Sequence, residues 1–209
     1  MKSLHVLPLK PESFALLVKQ FRRFQDKADI FELNLDVMKV KGDLAVIRRH
    51  FNRPMIAKSN SLDLLSRGAK AGFDYIDVPL ELTTDEEFVT LVKNKKNKII
   101  ISHHDFEKTP SAEDLEKLVQ ELLAKKHDLI KIATMVNEEA DMERLKSLLE
   151  DPRLKGKLIL TAMGEIARPM RFTTPLEGSV FYYAPVEGTQ ASAPGQVYKE
   201  ELVKAWENL

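Results

Sequence analysis

Two short apolar stretches contain the side chains best suited to chemistry. Residues 99–106 read IIISHHDF with two histidines near the end, and residues 129–135 read LIKIATM with Lys131 in the middle. Uncharged β-branched stretches of this kind are typical of strands buried on both faces of a parallel sheet. Burying an ammonium is costly unless it is paired or loses its proton, so we expect Lys131 to be driven toward the neutral amine. A neutral amine attacks carbonyl groups, and a nearby histidine can transfer protons.

A purely structural interpretation of these residues is also open. The alternation in residues 129–133 equally allows Lys131 to point outward and reach solvent past the helices. His104 could instead cap the end of its strand by pairing with Asp105, and His103 could simply line the rim. The sequence pattern alone does not choose between these arrangements and an inward lysine beside a histidine.

Composition limits the classes of partner. The chain has 209 residues, with 32 Lys and Arg balanced by 32 Asp and Glu, and it contains no cysteine. Balanced charge provides no field for nucleic acid or an anionic membrane, so neither is an expected partner. The absence of cysteine excludes disulfides, thiolate nucleophiles and cysteine-bound zinc. The first apolar run is too short for a signal peptide and no stretch is long enough to span a bilayer, so we expect a soluble, cytoplasmic protein.

Short apolar stretches alternate with longer amphipathic ones along the whole chain. The predicted strands are residues 4–7, 30–35, 55–58, 75–78, 98–102, 129–133, 158–162 and 179–183. The predicted helices are residues 12–24, 43–51, 61–71, 84–93, 111–126, 137–149, 166–176 and 195–206. A Thr-Thr-Asp-Glu-Glu capping signal accompanies the helix that starts at residue 84. This repetition predicts an α/β fold, a (β/α)8 TIM barrel that forms a single domain over residues 1–209, with a doubly wound open sheet as the alternative.

The barrel prediction matters because such barrels place their chemistry at the C-terminal ends of the strands. Polar residues gather at these ends and in the loops after strands seven and eight: Glu32, Asn34, Lys58, Asp77, His103, His104, Lys131, Arg168, Arg171, Ser192 and Gln196. Carboxylates within apolar strands need donors, so Glu32 could also pair with Lys58 or Lys131 in a purely structural network. The sequence therefore predicts one polar mouth, whether it serves catalysis or stability.

Several blocks, in order along almost the whole chain, resemble one enzyme family. ADIFELNLD and FDYIDV are followed by ISHHDF, by Lys131 in IKIATM, by MGEIARPMR and finally by ASAPGQ. This set resembles the type I 3-dehydroquinate dehydratases of the shikimate pathway, which supplies aromatic amino acids. The resemblance implies a barrel lyase that removes water from 3-dehydroquinate through a lysine Schiff base and yields 3-dehydroshikimate.

The resemblance also implies a role for each catalytic residue. Lys131 stands at the family's Schiff-base lysine, and His104 stands at its general acid/base. The dehydration takes a proton from the carbon next to the imine and gives one to the departing hydroxide. One imidazole suits both transfers because its ordinary pKa lies near neutral pH. Arg171 matches the arginine that binds the substrate carboxylate, with Arg168 as the alternative if the loop is shifted. A planar guanidinium suits a bidentate contact with a carboxylate.

The remaining matches concern substrate binding and assembly. Ser192 and Gln196 match residues that hydrogen-bond the substrate from the closing loop. Glu32 matches a strand-two carboxylate that binds ring hydroxyls, and Asp77 matches an aspartate that supports the lysine and histidine. The family uses no metal or other cofactor and is often homodimeric, so we expect no cofactor and a homodimer here.

This chain departs from the family pattern in the segments after strands two and three. Asn34 stands where the family usually has an arginine, and residues 58–62 read KSNSL where the family has a longer glycine-rich segment. Lys58 thus replaces an arginine, and Leu62 falls where a histidine-orienting glutamate would stand. We expect Asn34 and Lys58 to contact the substrate at these positions. The departures leave two alternatives open: an imine-forming barrel enzyme with another keto-acid substrate, and a homologue that binds a ligand without catalysis.

Overall fold

The computed structural model describes residues 2–37, 42–83 and 86–208. Within these ranges, eight strands alternate with eight α-helices, and a short 3₁₀ helix follows the fourth strand at Leu80–Leu82. The strands are β1 Leu4–Leu9, β2 Ile30–Asn34, β3 Met55–Lys58, β4 Tyr75–Pro79, β5 Lys98–Asp105, β6 Leu129–Met135, β7 Leu158–Met163 and β8 Phe181–Tyr183. The helices are α1 Phe14–Phe24, α2 Leu44–His50, α3 Leu62–Lys70, α4 Glu86–Asn94, α5 Ala112–Ala124, α6 Glu139–Glu150, α7 Arg168–Glu177 and α8 Lys199–Trp206.

All strand pairs are parallel, and their order in the sheet is β7-β6-β5-β4-β3-β2-β1-β8. The two ends of this sheet meet where the amide of Val180 donates a hydrogen bond to the carbonyl oxygen of Leu158 at 2.8 Å. The sheet thus curls into a nearly closed barrel, which confirms the predicted (β/α)8 TIM barrel over the open sheet. In the part of the chain that the structure describes, no helix combines the length and apolar character needed to cross a membrane.

Side chains along each strand alternate between the barrel interior and the layer beneath the helices. One end of the interior is filled by an apolar cluster that contains Val6, Ile30, Ile56, Ile100, Ile159 and Phe181. Leu129 packs against this cluster, so Lys131, two residues further along β6, lies on the same inward face. The neighbouring Ile130 and Ile132 belong to the larger apolar layer outside the barrel. The outward alternative for Lys131 is therefore wrong.

Two boundaries near the predicted site differ from the sequence prediction. The last helix begins at Lys199 rather than residue 195, because Gly195 has a φ of 68°, which lies outside the right-handed helical region. Strand β5 continues to Asp105 rather than residue 102, so both histidines lie within the strand and are held by its hydrogen bonds. The predicted helix start at Thr84 and the Asp85 of its capping signal lie outside the described residues.

Candidate active site

The C-terminal ends of the strands surround a cavity of about 250 Å³. Nine residues were predicted to act in catalysis or substrate binding, leaving aside His103 and the alternative Arg168. Eight of them line this cavity: Glu32, Asn34, Lys58, His104, Lys131, Arg171, Ser192 and Gln196. The ninth, Asp77, is fully buried against Lys131. The volume falls just below the range of about 300–1,000 Å³ that is usual for drug-sized ligands, so it suits a small polar molecule.

The amine of Lys131 lies at the centre of a buried polar layer. Its Nζ donates hydrogen bonds to Asp77 Oδ2 at 2.9 Å, to Glu32 Oε2 at 3.1 Å and to the hydroxyl of Tyr183 at 3.2 Å. These four side chains come from β2, β4, β6 and β8. Alternate strands of a TIM barrel contribute such layers because their side chains reach the interior at the same height. Barrel geometry thus brings together residues far apart in sequence.

The charges around Lys131 raise the pKa of its amine. Burial alone lowers this pKa, but the negative charges of Asp77 and Glu32 outweigh burial. Burial would also raise the pKa of Asp77, yet the positive charges of Lys131 and Lys58 hold it well below its ordinary range. The expectation of a neutral amine is therefore wrong for the unliganded site, where Lys131 is an ammonium paired with carboxylates.

The imidazole of His104 faces the same cavity from β5. Burial, followed by the positive charges of Lys131 and Lys58, lowers the pKa of His104 from 6.5 to about 3. The neutral ring therefore has one nitrogen free to accept a hydrogen bond, and Lys58 Nζ lies 3.4 Å from Nε2. The ring of Phe106 stacks on the imidazole, with the two centroids 6.0 Å apart. Lys58 and Phe106 thus both contact the ring.

The alternative pairing of His104 with Asp105 is wrong. Oδ1 of Asp105 instead accepts hydrogen bonds from the backbone amides of Glu107 and Lys108, at 2.8 and 3.0 Å. Asp105 therefore shapes the loop that follows β5. His103 alternates with His104 along the strand and does not line the cavity.

Arg171, and not Arg168, faces the cavity. Arg171 is 8% exposed, and its Nε and Nη2 atoms have no hydrogen-bond partner among the described residues. Burial without a counter-ion lowers its pKa from 12.5 to about 10. Arg168 lies at the surface, where its guanidinium pairs with Glu201 of α8 at 2.5 Å. A buried guanidinium with free donors at a cavity wall is suited to bind an anionic group.

The loop after β8 closes one side of the cavity. Oε1 of Gln196 accepts hydrogen bonds from the backbone amide and the hydroxyl of Ser192, at 2.6 and 3.2 Å. Lys10 anchors the loop by donating from Nζ to the carbonyl oxygen of Ser192 at 3.1 Å. A side chain at Gly195 would collide with the carbonyl oxygen of Gly164, so the close contact between the loops after β7 and β8 requires glycine.

Comparison with known proteins decides the family. The sequence profile of the type I 3-dehydroquinase family matches residues 5–209. The chain belongs to this family. Members of the type I 3-dehydroquinase family are hydro-lyases, so this chain is an enzyme of that class.

Similar proteins support the family assignment over most of the chain. The 3-dehydroquinate dehydratase of Methanocaldococcus jannaschii is 30% identical over 216 aligned positions, which cover 96% of each chain. The enzyme of the same name from Methanococcus maripaludis is 29% identical and covers 94% of this chain. The crystal structure of a type I 3-dehydroquinate dehydratase from Clostridium difficile is similar in fold, with a TM-score of 0.82, 24% identity and coverage of 99% of this chain and 92% of that one.

Five further polar residues line the cavity and were not predicted: Lys10, Asp36, Asn60, Thr161 and Tyr183. Thr161 and Tyr183 lie toward the ends of predicted strands, where a polar residue at an inward position was the available signal. The other three follow β1, β2 and β3 as loop residues, and nothing in their sequence indicates which way a loop side chain points.

Proposed function

We propose that this chain dehydrates 3-dehydroquinate to 3-dehydroshikimate through an imine on Lys131. The observation that carries the proposal is the inward amine of Lys131, which shares a cavity with a neutral His104 and an unpaired Arg171. This set supplies a nucleophile for a ketone, a proton carrier and a cation for a carboxylate.

The raised pKa of Lys131 is compatible with imine formation because the proton balance closes. An ammonium and a ketone contain the same atoms as a protonated imine and one water. The ammonium first passes a proton to one of the carboxylates that accept its hydrogen bonds, Glu32 or Asp77, and the freed lone pair of Nζ then bonds to the carbonyl carbon. Two of the three original ammonium protons end on the carbonyl oxygen, which leaves as water, and the third stays on the imine nitrogen. The carboxylates of Glu32 and Asp77 then pair with the cationic imine as they did with the ammonium.

His104 carries the proton in the elimination. The cationic imine withdraws electrons from the adjacent C–H bond, and the neutral ring accepts that proton to leave an enamine. The enamine electrons expel the hydroxyl group on the next carbon, which takes the proton from His104 and leaves as water. A second water then hydrolyses the imine and restores Lys131. An anionic substrate beside the ring also raises the pKa of His104 from its low unliganded value of about 3.

The carboxylate of the substrate is bound by Arg171. Its Nε and Nη2 atoms are buried and have no hydrogen-bond partner among the described residues, so a carboxylate that binds the guanidinium breaks no protein contact of these two atoms. Ser192 and Gln196 hydrogen-bond the substrate from the loop after β8, and Glu32 and Asn34 bind its ring hydroxyls. All four line the cavity.

Two supporting residues complete the proposal. Asp77 holds the reacting nitrogen of Lys131, from which its Oδ2 lies 2.9 Å away. Lys58 takes over the orientation of His104, since Leu62 stands where the family has its histidine-orienting glutamate. The 3.4 Å contact from Lys58 Nζ to His104 Nε2 supports this role. The positive charge of Lys58 also favours an anionic substrate.

Borohydride reduction in the presence of 3-dehydroquinate tests the proposal. Reduction of the imine should place the adduct on Lys131 by peptide mass spectrometry, and the absorbance of the conjugated enone product should rise without added metal. Lys131→Ala should abolish both signals. Lys98→Ala is the matched control, because Lys98 is an exposed lysine that begins β5 at the opposite end of the barrel. An adduct on another residue, or turnover by Lys131→Ala, would refute the proposal.

One observation at Asn34, which departs from the family pattern, favours a different substrate. Asn34 is shorter than the arginine that the family usually has at this position, and its Oδ1 already accepts a hydrogen bond from the backbone amide of Asp36 at 3.0 Å. An imine-forming enzyme for another polyhydroxy keto acid would fit such a change. Comparing kcat/KM for 3-dehydroquinate and related keto acids distinguishes the two functions, because the first proposal requires a strong preference for 3-dehydroquinate. The homodimer and the cytoplasmic location stay predictions.

A further inference from the structure

We propose that Tyr183 is a further catalytic residue, whose hydroxyl donates a hydrogen bond to the substrate's carbonyl oxygen while Lys131 attacks the carbonyl carbon. This inference rests on the proposed function, because it assigns a group to the imine-forming step. Three observations support this inference. They are the geometry at the end of β8, the hydrogen bonds around Lys131 Nζ and the contrast with Tyr182.

Tyr183 faces the reacting nitrogen from the last strand of the barrel. Phe181 belongs to the interior cluster, so Tyr183, two residues further along β8, also points inward. Its hydroxyl lies 3.2 Å from Lys131 Nζ, and Nζ lies 4.3 Å from the centre of its ring. Tyr183 also lines the cavity, so the hydroxyl is next to the space that the substrate occupies.

The hydrogen bonds of the ammonium leave the phenol proton free. An ammonium has three N–H groups, and these are taken by the oxygens of Asp77, Glu32 and Tyr183. The phenol oxygen is therefore an acceptor toward Lys131, and its own O–H must point elsewhere. Among the described residues, no other hydrogen-bond partner of this hydroxyl is present, and the cavity is the adjacent space. Burial also raises the pKa of Tyr183, which keeps the proton on the phenol.

This free donor lies where the attack creates negative charge. As Nζ bonds to the carbonyl carbon, the π electron pair of the C=O bond moves onto the oxygen. That oxygen is attached to the same carbon as Nζ, so a donor within hydrogen-bond distance of Nζ is also near the oxygen. The O–H of Tyr183 stabilises the developing oxyanion and keeps its own proton. The protons that convert the oxygen into departing water come from the original ammonium, so the step balances without another reactant.

The hydroxyl oxygen of Tyr183 also satisfies the third N–H group of Lys131, so a structural role is the alternative that the test must exclude. That role uses the phenol oxygen only as an acceptor and leaves its O–H group without a partner among the described residues. Tyr182 provides the comparison within the same strand, because its ring packs outside the barrel against His5 and Trp206. Of these two tyrosines, it is Tyr183 whose hydroxyl lies within hydrogen-bond distance of the reacting nitrogen.

The test removes one hydroxyl at a time. Tyr183→Phe should slow formation of the borohydride-trapped adduct in single turnover by about 10²-fold, the usual effect of losing one oxyanion donor. The value of kcat should fall correspondingly while KM changes little, since the hydrogen bond strengthens only during attack. Tyr182→Phe, the matched control, should form the adduct at the wild-type rate. A structural role for the Tyr183 hydroxyl would instead lower the melting temperature without slowing adduct formation.

The outcomes separate this inference from the proposed function. An adduct on Lys131 that forms equally fast in wild type and Tyr183→Phe would overturn the inference and leave the proposed function standing. Absence of any adduct in active wild-type protein would overturn both. If Tyr183→Phe does not fold, Tyr183→Met offers a flexible apolar replacement that also lacks the hydroxyl, and the same slowing is expected of it.

Discussion

Replacing Lys131 with methionine should destabilise the barrel as well as abolish catalysis. The ammonium is the shared partner of two buried carboxylates, at 2.9 Å from Asp77 and 3.1 Å from Glu32. The side chain of Asp77 is only 1% exposed, so water cannot replace its lost partner. The side chain of Glu32 is 8% exposed at the cavity wall, where water replaces the lost partner only in part. Methionine is unbranched and of similar length, and therefore the variant removes the charge with little change in shape.

The size of the effect follows from this burial. Removing one partner of a buried ion pair costs about 3–5 kcal/mol, because the remaining charge stays buried without compensation. Here one substitution leaves two such charges, so we expect a loss at or above the upper part of that range. Domains are stable by about 5–15 kcal/mol in total, and the variant should therefore lose a third or more of its free energy of unfolding at neutral pH.

The pH dependence gives the prediction a definite sign. In wild type, the pKa of Asp77 is depressed, so its pairing stabilises the fold above its unfolded pKa of about 3.9 and this contribution is lost as the pH falls through the folded value. Without Lys131, burial raises the pKa of Asp77, and protonation on acidification then relieves the penalty. The difference in unfolding free energy between wild type and variant should thus be larger at about pH 7 than at about pH 5.

Urea unfolding followed by far-ultraviolet circular dichroism at both pH values measures this difference. Lys98→Met serves as the control, since Lys98 is exposed and its loss removes only a cation–π contact with Tyr75, 5.5 Å from Nζ to the ring centre, which is worth about 0.5–1 kcal/mol at an exposed site. Combining Lys131→Met with Asp77→Asn should recover part of the lost stability, because one of the two unpaired buried carboxylates is removed. A Lys131→Met loss below about 1 kcal/mol, or one that does not shrink on acidification, would refute the reasoning.

Three further predictions concern the other cavity residues. His104→Ala should lower kcat by about 10²–10⁴-fold while the imine still forms, so the borohydride-trapped adduct should accumulate. Lys58→Met should move the acidic limb of the kcat/KM profile to higher pH, because the positive charge of Lys58 helps to lower the pKa of His104 to about 3. Arg171→Leu should raise KM by about 10- to 100-fold through loss of a charged hydrogen bond, without lowering the free energy of unfolding, since Arg171 Nε and Nη2 have no hydrogen-bond partner among the described residues.

Each of these predictions has a contrary result. Normal turnover by His104→Ala, or loss of the adduct in this variant, would contradict the proposed role of His104 in proton transfer. An unchanged or lowered acidic limb in Lys58→Met would show that Lys58 does not act on the ring. An unchanged KM in Arg171→Leu would mean that the carboxylate is bound elsewhere, and Arg168→Leu is the matched control because Arg168 pairs with Glu201 at the surface.

Much of the fold could be predicted from the sequence because its signals are local. A strand buried on both faces shows as an apolar stretch, and an amphipathic helix shows as apolar residues at three- and four-residue steps. The prediction of strand β3 agrees with the observed Met55–Lys58 at both ends. The boundary at Gly195 was missed because its backbone angle is set by close contact with Gly164, which is distant in the chain.

The sequence by itself determined which elements form and which polar residues end the strands. Only the tertiary structure decided what those residues do to one another. The direction of Lys131, its pairing with Asp77 and Glu32 and its contact with Tyr183 depend on how alternate strands reach one layer of the closed barrel. The pKa of Lys131 is raised, whereas the sequence led us to expect a lowered one, and the reason is the same. Burial can be predicted from a local sequence pattern. The carboxylates that outweigh burial lie on strands that meet only when the sheet closes.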